Sequence, residues 1–511
     1  MKMVQKLSHQ ETKFQRNQRH IIKRILIRGN LILDTPTCLG SGDSESPTDL
    51  SLLRDSVSNH ALLTGASIAG AIRNYLRESE HGYLSSEKRN DLATTLFGVI
   101  WTDKDNQENS IILDDGNQSP LIIDDSISTF PIQTELRDGV KINSLTHTAE
   151  NKAKYDLELL QAGTKFPLCF ELLIEEKPDT PNYELSLLKG LAIALQGLEK
   201  GEISLGMKKR RGFGRCQVHN WQVWNFNLEG ASDRIAWLTL DHSWSTDPPC
   251  TKSPAINPSI VAAMKQAGLE FSEEWDDKRD RFIIKATFTL ATPLLIRSGQ
   301  ASSDKAPDVV HLKSRRDGEL KPVLSGTSLA GVLRHRAERI INTIGKNPSI
   351  IEDIFGSDLG KNKTPQARAS RLIVHESIIE DTTDLIQNRI AIDRFTGGAL
   401  HGALFNEQPI FANDKTQLHL ELELRKPKDK EIGLLLLLLK DLWTSDLPIG
   451  GTSSIGRGRL QGTDTHIILR REQENKTYHI QQSSPKEDLV VNDTESLEKF
   501  VATLYEEEVT K

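Results

Sequence analysis

Two kinds of glycine-bearing segment in this 511-residue chain have the residue types to hold a phosphate. Gly65 and Gly326 each open a helical pattern, with Ser67 and Ser328 near its start and Arg73 and Arg334 two turns on. Glycine lets a ligand approach the main chain closely, and the free N–H groups of a helix start favour an anion. A capped helix packed on a sheet explains the same residues without any ligand. The second kind is a Gly-x-Gly-Arg loop, present as Gly212-Phe213-Gly214-Arg215 and as Gly456-Arg457-Gly458-Arg459. Lys208, Lys209, Arg210 and Arg211 crowd just ahead of the first loop. Flexible glycine beside arginine grips backbone phosphates with little sequence preference.

The stretch Arg211–Gly214 also matches the start of an RNA-recognition strand, whose aromatic side chains stack bases. The match ends at Arg215, where an aromatic would follow, and the second loop has no stacking residue. A dinucleotide fingerprint is excluded because the third glycine is missing and the following residues suit a strand. The net charge of −7 argues against indiscriminate binding of polyanions. It is compatible with a local basic groove, because screening limits the reach of charges to about 8–10 Å.

Both segments belong to an internal duplication. Strand-like runs Arg24–Leu33 and Phe282–Leu290 lead into Thr35-Pro36 and Thr292-Pro293, and Ser41-Gly42 and Ser298-Gly299 follow. Leu62–Arg73 then matches Val323–Arg334, Leu96-Phe97-Gly98 matches Ile354-Phe355-Gly356, and Asn143–Thr146 matches Asp393–Thr396. Alternating strands at Phe166–Ile174 and Leu418–Leu424, apolar helices near Leu185–Leu198 and Ile432–Trp443, and the two Gly-x-Gly-Arg loops complete each copy. The order strand, helix, strands, helix, strand predicts an α+β chain of two tandem ferredoxin-like (RRM-like) domains with loop insertions. The first domain is expected over 1–225 and the second over 280–475. A connector over 226–279 carries one helix near Pro258–Gly268, an acidic tail over 476–511 includes a short acidic helix, and 101–129 reads as a loop insertion.

Ile432–Leu439, the longest apolar run, is too short for a membrane span, which takes about 20 residues. Cys38, Cys169, Cys216 and Cys250 are scattered without a CxxC pair, and the N-terminus lacks the apolar core of a signal peptide. A cytoplasmic protein with no disulfide framework or zinc ribbon, and no membrane partner, is expected.

With these residues in view, the chain resembles the RAMP superfamily, and specifically the Cas-seven-like backbone subunits of type III CRISPR effector complexes. The likeness rests on Gly65–Arg73, Leu96–Gly98 and the terminal glycine-rich loop, each found in both halves. It is similar to the tandem fusion of two such subunits in the type III-D branch. The resemblance implies binding of CRISPR RNA and of a paired target RNA, assembly with other CRISPR effector subunits, and antiviral defence. It also implies endoribonuclease activity in the assembled complex, through an aspartate in the loop after the first strand. Anchored on Gly65, that position is Asp49. In the second copy it is Asp308, with Asp304 and Asp317 as alternatives and two extra residues before Gly326. Asp43 and Asp55 lie near Asp49, and Asp55 suits a turn. A lone carboxylate is a poor general base at neutral pH, so its expected role is to position the 2′-OH or hold hydrated Mg²⁺. Lys141, Lys152 and Lys154 fall where relatives separate the nucleotides of the duplex. His147 and His401 follow the matched Asn143 and Asp393 segments without a partner at matching spacing, which disfavours a histidine nuclease. The alternative is a non-catalytic RNA-binding scaffold of the same complex.

Overall fold

Alternating apolar residues build β1 (Ile21–Leu33), which turns Ile25, Ile27, Leu31 and Leu33 into a core. The computed structural model describes residues 20–42, 51–86, 88, 91–101, 115–143, 146, 148–177, 180, 182–240, 254–298, 307–357, 367–472 and 474–506. After β1 come α1 (Gly65–His81), β2 (Leu121–Ile123), β3 (Lys165–Glu175), α2 (Tyr183–Glu199) and β4 (Cys216–Asn227). Their antiparallel sheet has the order β4-β1-β3-β2, the ferredoxin-like arrangement. The second half repeats it with β5 (Arg281–Leu290), α3 (Gly326–Thr343), β6 (Leu372–Val374), β7 (Ile410–Arg425), α4 (Asp429–Trp443) and β8 (Leu460–Arg471). There β8-β5-β7 run side by side, β6 pairs with Leu422–Leu424 of β7, and β9 (Glu474–Gln481) extends the sheet beyond β8. The chain is α+β, with two ferredoxin-like domains in tandem.

Each half has its own core, and the second helix of each is apolar beyond a single stripe. In α2, Leu187, Leu188, Leu191, Ile193, Leu195 and Leu198 are all buried. A helix buried on more than one face needs cover on more than one face. Helix Ile260–Gln266, from the stretch between the halves, packs on α2 and adds Ile260, Ala263 and Met264 to the first core. Helix Thr494–Ala502 covers α4 in the same way, and Leu497 and Phe500 enter the second core. Part of the expected insertion at 101–129 is regular structure: residues 121–123 are β2, and Ser126–Pro131 pairs with His60–Leu63. Short strands bounded by Asp and Ser read as loop because their partners lie far away in sequence.

The halves meet over buried charge. Arg137 makes a bidentate pair with Glu376 at 3.0 and 3.2 Å, and Arg316 binds the same carboxylate from its own half. The Glu376 side chain is 1% exposed, so water contributes almost nothing to its solvation. Glu135 accepts from Arg137 Nε at 2.8 Å and from Ser314 Oγ at 3.0 Å, tying the same corner. A second cluster joins Glu202 of the first half to Arg279 and Arg281 at the entry to β5, at 2.6 and 3.2 Å, with Tyr75 donating to Glu202 at 2.7 Å. Burial alone would raise the Glu202 carboxyl, but Arg279 and Arg281 outweigh it and hold it at about 2.

Removing one partner of a buried pair strands the other. Glu376→Ala is expected to lower unfolding stability by about 3–5 kcal/mol, measured by urea denaturation, because Arg137 and Arg316 lose their shared counter-charge. Glu202→Gln should cost about 2–3 kcal/mol at pH 7. The folded carboxyl lies below its unfolded value of about 4.3, so its stabilisation is complete above that value and is lost as pH falls toward about 2. The difference between wild type and variant should therefore vanish across that window; an unchanged difference at pH 2 would refute the assignment.

Candidate nucleic-acid interface

At the start of α1, Thr64 is the N-cap, and its Oγ1 accepts the Ser67 N–H at 3.3 Å. Ser325 does the same for Ser328 at the start of α3. Such caps contribute about 1 kcal/mol each. The Gly65 N–H donates to Asp125 at 2.7 Å, so a carboxylate already lies at this helix start. A Cβ on Gly65 would lie 2.2 Å from the Ile123 carbonyl oxygen, and one on Gly326 would lie 2.3 Å from that of Val374. Both glycines are therefore required for packing against β2 and β6. Ser67 is exposed, Ser328 and Arg73 are half-buried, and Arg334 is bound to Glu338 and to the Gly356 carbonyl.

The first Gly-x-Gly-Arg loop lies in the seam. A Cβ on Gly326 would also meet the Arg211 carbonyl oxygen at 2.4 Å, and one on Gly212 would meet the Glu376 nitrogen at the same distance. Gly214, at φ +77, leaves no room for a side chain beside the Leu205 carbonyl. Phe213 is buried with Cys38, Leu157 and Leu159, so it is a core residue and not a stacking platform. Arg215, expected as a phosphate grip, pairs with Glu421 of the second half at 3.1 Å. Arg211 reaches the Phe355 carbonyl at 3.4 Å, and burial and then Arg334 push its guanidinium down. Lys208 lies over the Tyr155 ring at 3.8 Å, while Lys209 is exposed. Arg210 differs from these. Burial, and then the neighbouring Arg425 cation, depress it to about 10, with Glu78 and Glu423 offsetting part of the shift. Its Nη1 is buried without a hydrogen-bond partner.

The second loop is built alike but used differently. Gly458 packs against the Ile449 carbonyl as Gly214 does against Leu205, whereas Gly456 faces open space and Ile455 is 52% exposed. Arg457 corrects the expectation of a phosphate grip: it is buried, and its Nη1 donates to Glu407 at 2.8 Å and its Nη2 to Gln387. A carboxylate within the fold takes the place a phosphate would have. Arg459 is exposed, with Nη1 on the Ser445 carbonyl.

Glu407 lies near the base of a hairpin, Gln387–Ile392 with Ala399–Gln408, whose tip is the matched segment Asp393–Thr396. Asp393 caps that tip by accepting the N–H groups of Phe395 and Thr396, and Phe395 is fully exposed. In the first half, Thr134–Ile142 with Ala149–Leu160 forms the counterpart, and Asn143 accepts the Thr146 N–H. Lys141 and Lys154 are on it, facing Glu150 at 3.4 Å and Asp138 at 3.5 Å, and Lys152 sits at positive φ. His401 is exposed on the second hairpin; His147 lies outside the described residues.

Asp308 is exposed at the base of the second hairpin, where its Oδ2 accepts the Asn406 N–H at 2.8 Å. Next to it, Val309–Val310 pairs with Glu407–Gln408. Asp317 occupies the two-residue Asp-Gly turn between Lys313–Arg316 and Glu319–Leu324, a position that its φ of 51° explains. Asp49, Asp43 and Asp304 lie outside the described residues. The residues just after Asp49 are held by the first hairpin: Glu158 accepts from Arg54 at 2.5 Å and from the Leu52 N–H at 3.4 Å. Asp55 accepts the Ser58 N–H at 2.7 Å, as a turn residue does. Among the described residues Asp308 belongs to no group of three or more side chains that could hold a metal ion.

Sequence reasoning missed the glutamates that organise these bases, Glu158, Glu407 and Glu376. Tyr155–Glu158 and Leu404–Glu407 occupy matching hairpin strands, and aligning those strands is the signal that finds two of them. Among the described residues no helix is long and apolar enough to cross a membrane, and Cys38, Cys169 and Cys216 are unpaired thiols. A search among curated proteins found no match. The model of the RAMP superfamily matches residues 30–217 and 287–461, and each matched stretch spans most of one ferredoxin-like core. The chain belongs to the RAMP superfamily, a family of CRISPR-associated RNA-binding proteins, and carries two such domains in tandem.

Proposed function

We propose that the protein is a tandem backbone subunit of a type III CRISPR effector complex, which binds CRISPR RNA and cleaves the complementary target RNA at two sites. The observation that carries the cleavage reading is Asp308, an exposed carboxylate fixed by the Asn406 N–H at the foot of a projecting hairpin. Asp49 is its proposed counterpart, in a loop whose next residues are held by Glu158 at the foot of the other hairpin. RNA supplies its own 2′-OH nucleophile, so the protein's task is to align it with the scissile phosphate. An anchored carboxylate can accept the 2′-OH hydrogen and orient the oxygen. Mg²⁺, where bound, would be held by one such carboxylate together with RNA phosphates and would offset charge on them.

Arg210 supports the guide-binding part of the reading. The Arg210 guanidinium is half-buried beside the Arg425 cation, and a phosphate oxygen at its accessible side would offset that charge. Exposed Lys209 and Arg459 add sequence-independent attraction. Other effector subunits are the proposed protein partners. Ile455 and Gly456 stand open where the matching loop of the first half is covered by the second half. A cytoplasmic setting accords with the free thiols.

One observation favours a non-catalytic scaffold: the contact between Asp308 and Asn406 also serves simply to fasten a loop to the hairpin. The two readings separate in the assembled complex. Asp49→Ala with Asp308→Ala should slow cutting at two positions by about 100-fold while target binding is retained. Unchanged cleavage would establish the scaffold. Arg210→Gln should weaken binding of every guide sequence alike and reduce the salt slope by about 1. Stability of the RNA-free protein should be unaltered or increased, since a like-charge contact with Arg425 is lost. Full retention of affinity and slope would make Arg210 a seam residue only.

A further inference from the structure

The outer end of the second sheet carries a cluster that the RNA-binding elements do not use. His466 on β8 is directly opposite His479 on β9, and Asp464 lies two residues earlier on the same face. His479 Nε2 lies 2.6 Å from Asp464 Oδ1, and His466 Nε2 lies 3.4 Å from Asp464 Oδ2. The two imidazoles are stacked, with centroids 4.5 Å apart and planes at 16°. One ligand atom from each of the three residues falls within 4.8 Å of the other two. His466 is exposed and the other two are half-buried, so the cluster is open to solvent on one side.

We propose that Asp464, His466 and His479 bind one divalent transition-metal ion of the zinc class. Two imidazole nitrogens and one carboxylate oxygen suit zinc, copper or nickel better than magnesium or calcium. Zinc takes such ligands at about 2.0–2.2 Å, so three donors converging from one side leave a fourth position for water. Each imidazole gives up the hydrogen on its coordinating nitrogen, retaining or regaining one at Nδ1, and Asp464 supplies one negative charge. The strands hold the donors in place. β8 is paired on both sides, and the His479 N–H is fixed by Asn492 Oδ1 at 2.9 Å. Lys285, the other cross-strand neighbour of His466, has its ammonium 3.9 Å from Glu421.

Glu80, His81 and Asp91 also converge, but Glu80 accepts the Leu92 N–H and Asp91 accepts those of Lys88 and Thr94. A metal there would compete with helix capping, whereas the Asp464 carboxylate, among the described residues, faces His479 and His466 with one oxygen each. The cluster is also not part of the duplication. Aligning Gly214 with Gly458 gives an offset of 458 − 214 = 244, which puts Asn220 and Gln222 at the positions of Asp464 and His466.

The test uses the full-length chain without an affinity tag. Titration with zinc chloride, followed by calorimetry, should show one saturable equivalent and a rise in melting temperature. Cobalt(II) in its place should give visible absorption of a low-coordinate site. His466→Gln with His479→Gln should lose that equivalent and the cobalt spectrum, and Asp464→Asn should weaken both. These surface changes leave the fold intact, which circular dichroism checks. Absence of saturable binding to wild type, or an equivalent that survives the double substitution, would overturn the proposal.

Discussion

The Glu376 carboxylate, almost wholly removed from water and shared between Arg137 and Arg316, is the constraint on which the relation of the two halves depends. A charge in that position is tolerable only when both guanidiniums are present, because desolvation would otherwise outweigh any local attraction. Arg137 comes from the first half's hairpin, whereas Glu376 and the strand Lys313–Arg316 that bears Arg316 belong to the second, so the cluster forms only at one relative placement of the domains. The same placement brings the Arg211 carbonyl against the start of α3, where only glycine fits. Electrostatics and steric fit thus select one arrangement together.

That arrangement changes the meaning of the repeated glycine-arginine loops. In the first half the loop is buried against the second half, with Arg215 on Glu421 and Arg211 on Phe355. In the second half Arg457 turns inward to Glu407. Arg457 stands where the first loop has Phe213, and Arg459, the match of Arg215, is exposed with Nη1 on the Ser445 carbonyl. Arg210 is the member whose charge the fold leaves poorly compensated. Duplicated sequence supplies the same backbone path, and the neighbouring acids decide what each side chain does.

The hairpins show a comparable division of labour. Their tips, capped by Asn143 and Asp393, project from each half, while their bases are held by Glu158 and Glu407. A projecting hairpin with a fixed foot keeps an exposed tip at a set distance from the sheet. The loop that bears Asp308 is attached at that foot, so its carboxylate is positioned by the same strand that carries the tip.

Much of this was legible from local pattern. β-Branched and apolar content marks β1 and β5, period-two alternation marks β3 and β7, a dense apolar run marks α2 and α4, and matched glycines mark the turns, because each of these signals acts within a few residues. β2 has no such local signal, since a three-residue strand owes its form to β3 and not to its own propensity. Two ferredoxin-like domains, and the places where their glycines must fall, follow from local pattern alone. Which cations face solvent, which pair with Glu376, Glu407 and Glu421, and that His466 meets His479 across two strands follow from the folded arrangement. The physical reason is reach: backbone form is set by neighbours in sequence, whereas a charge is assigned its partner by residues hundreds of positions away.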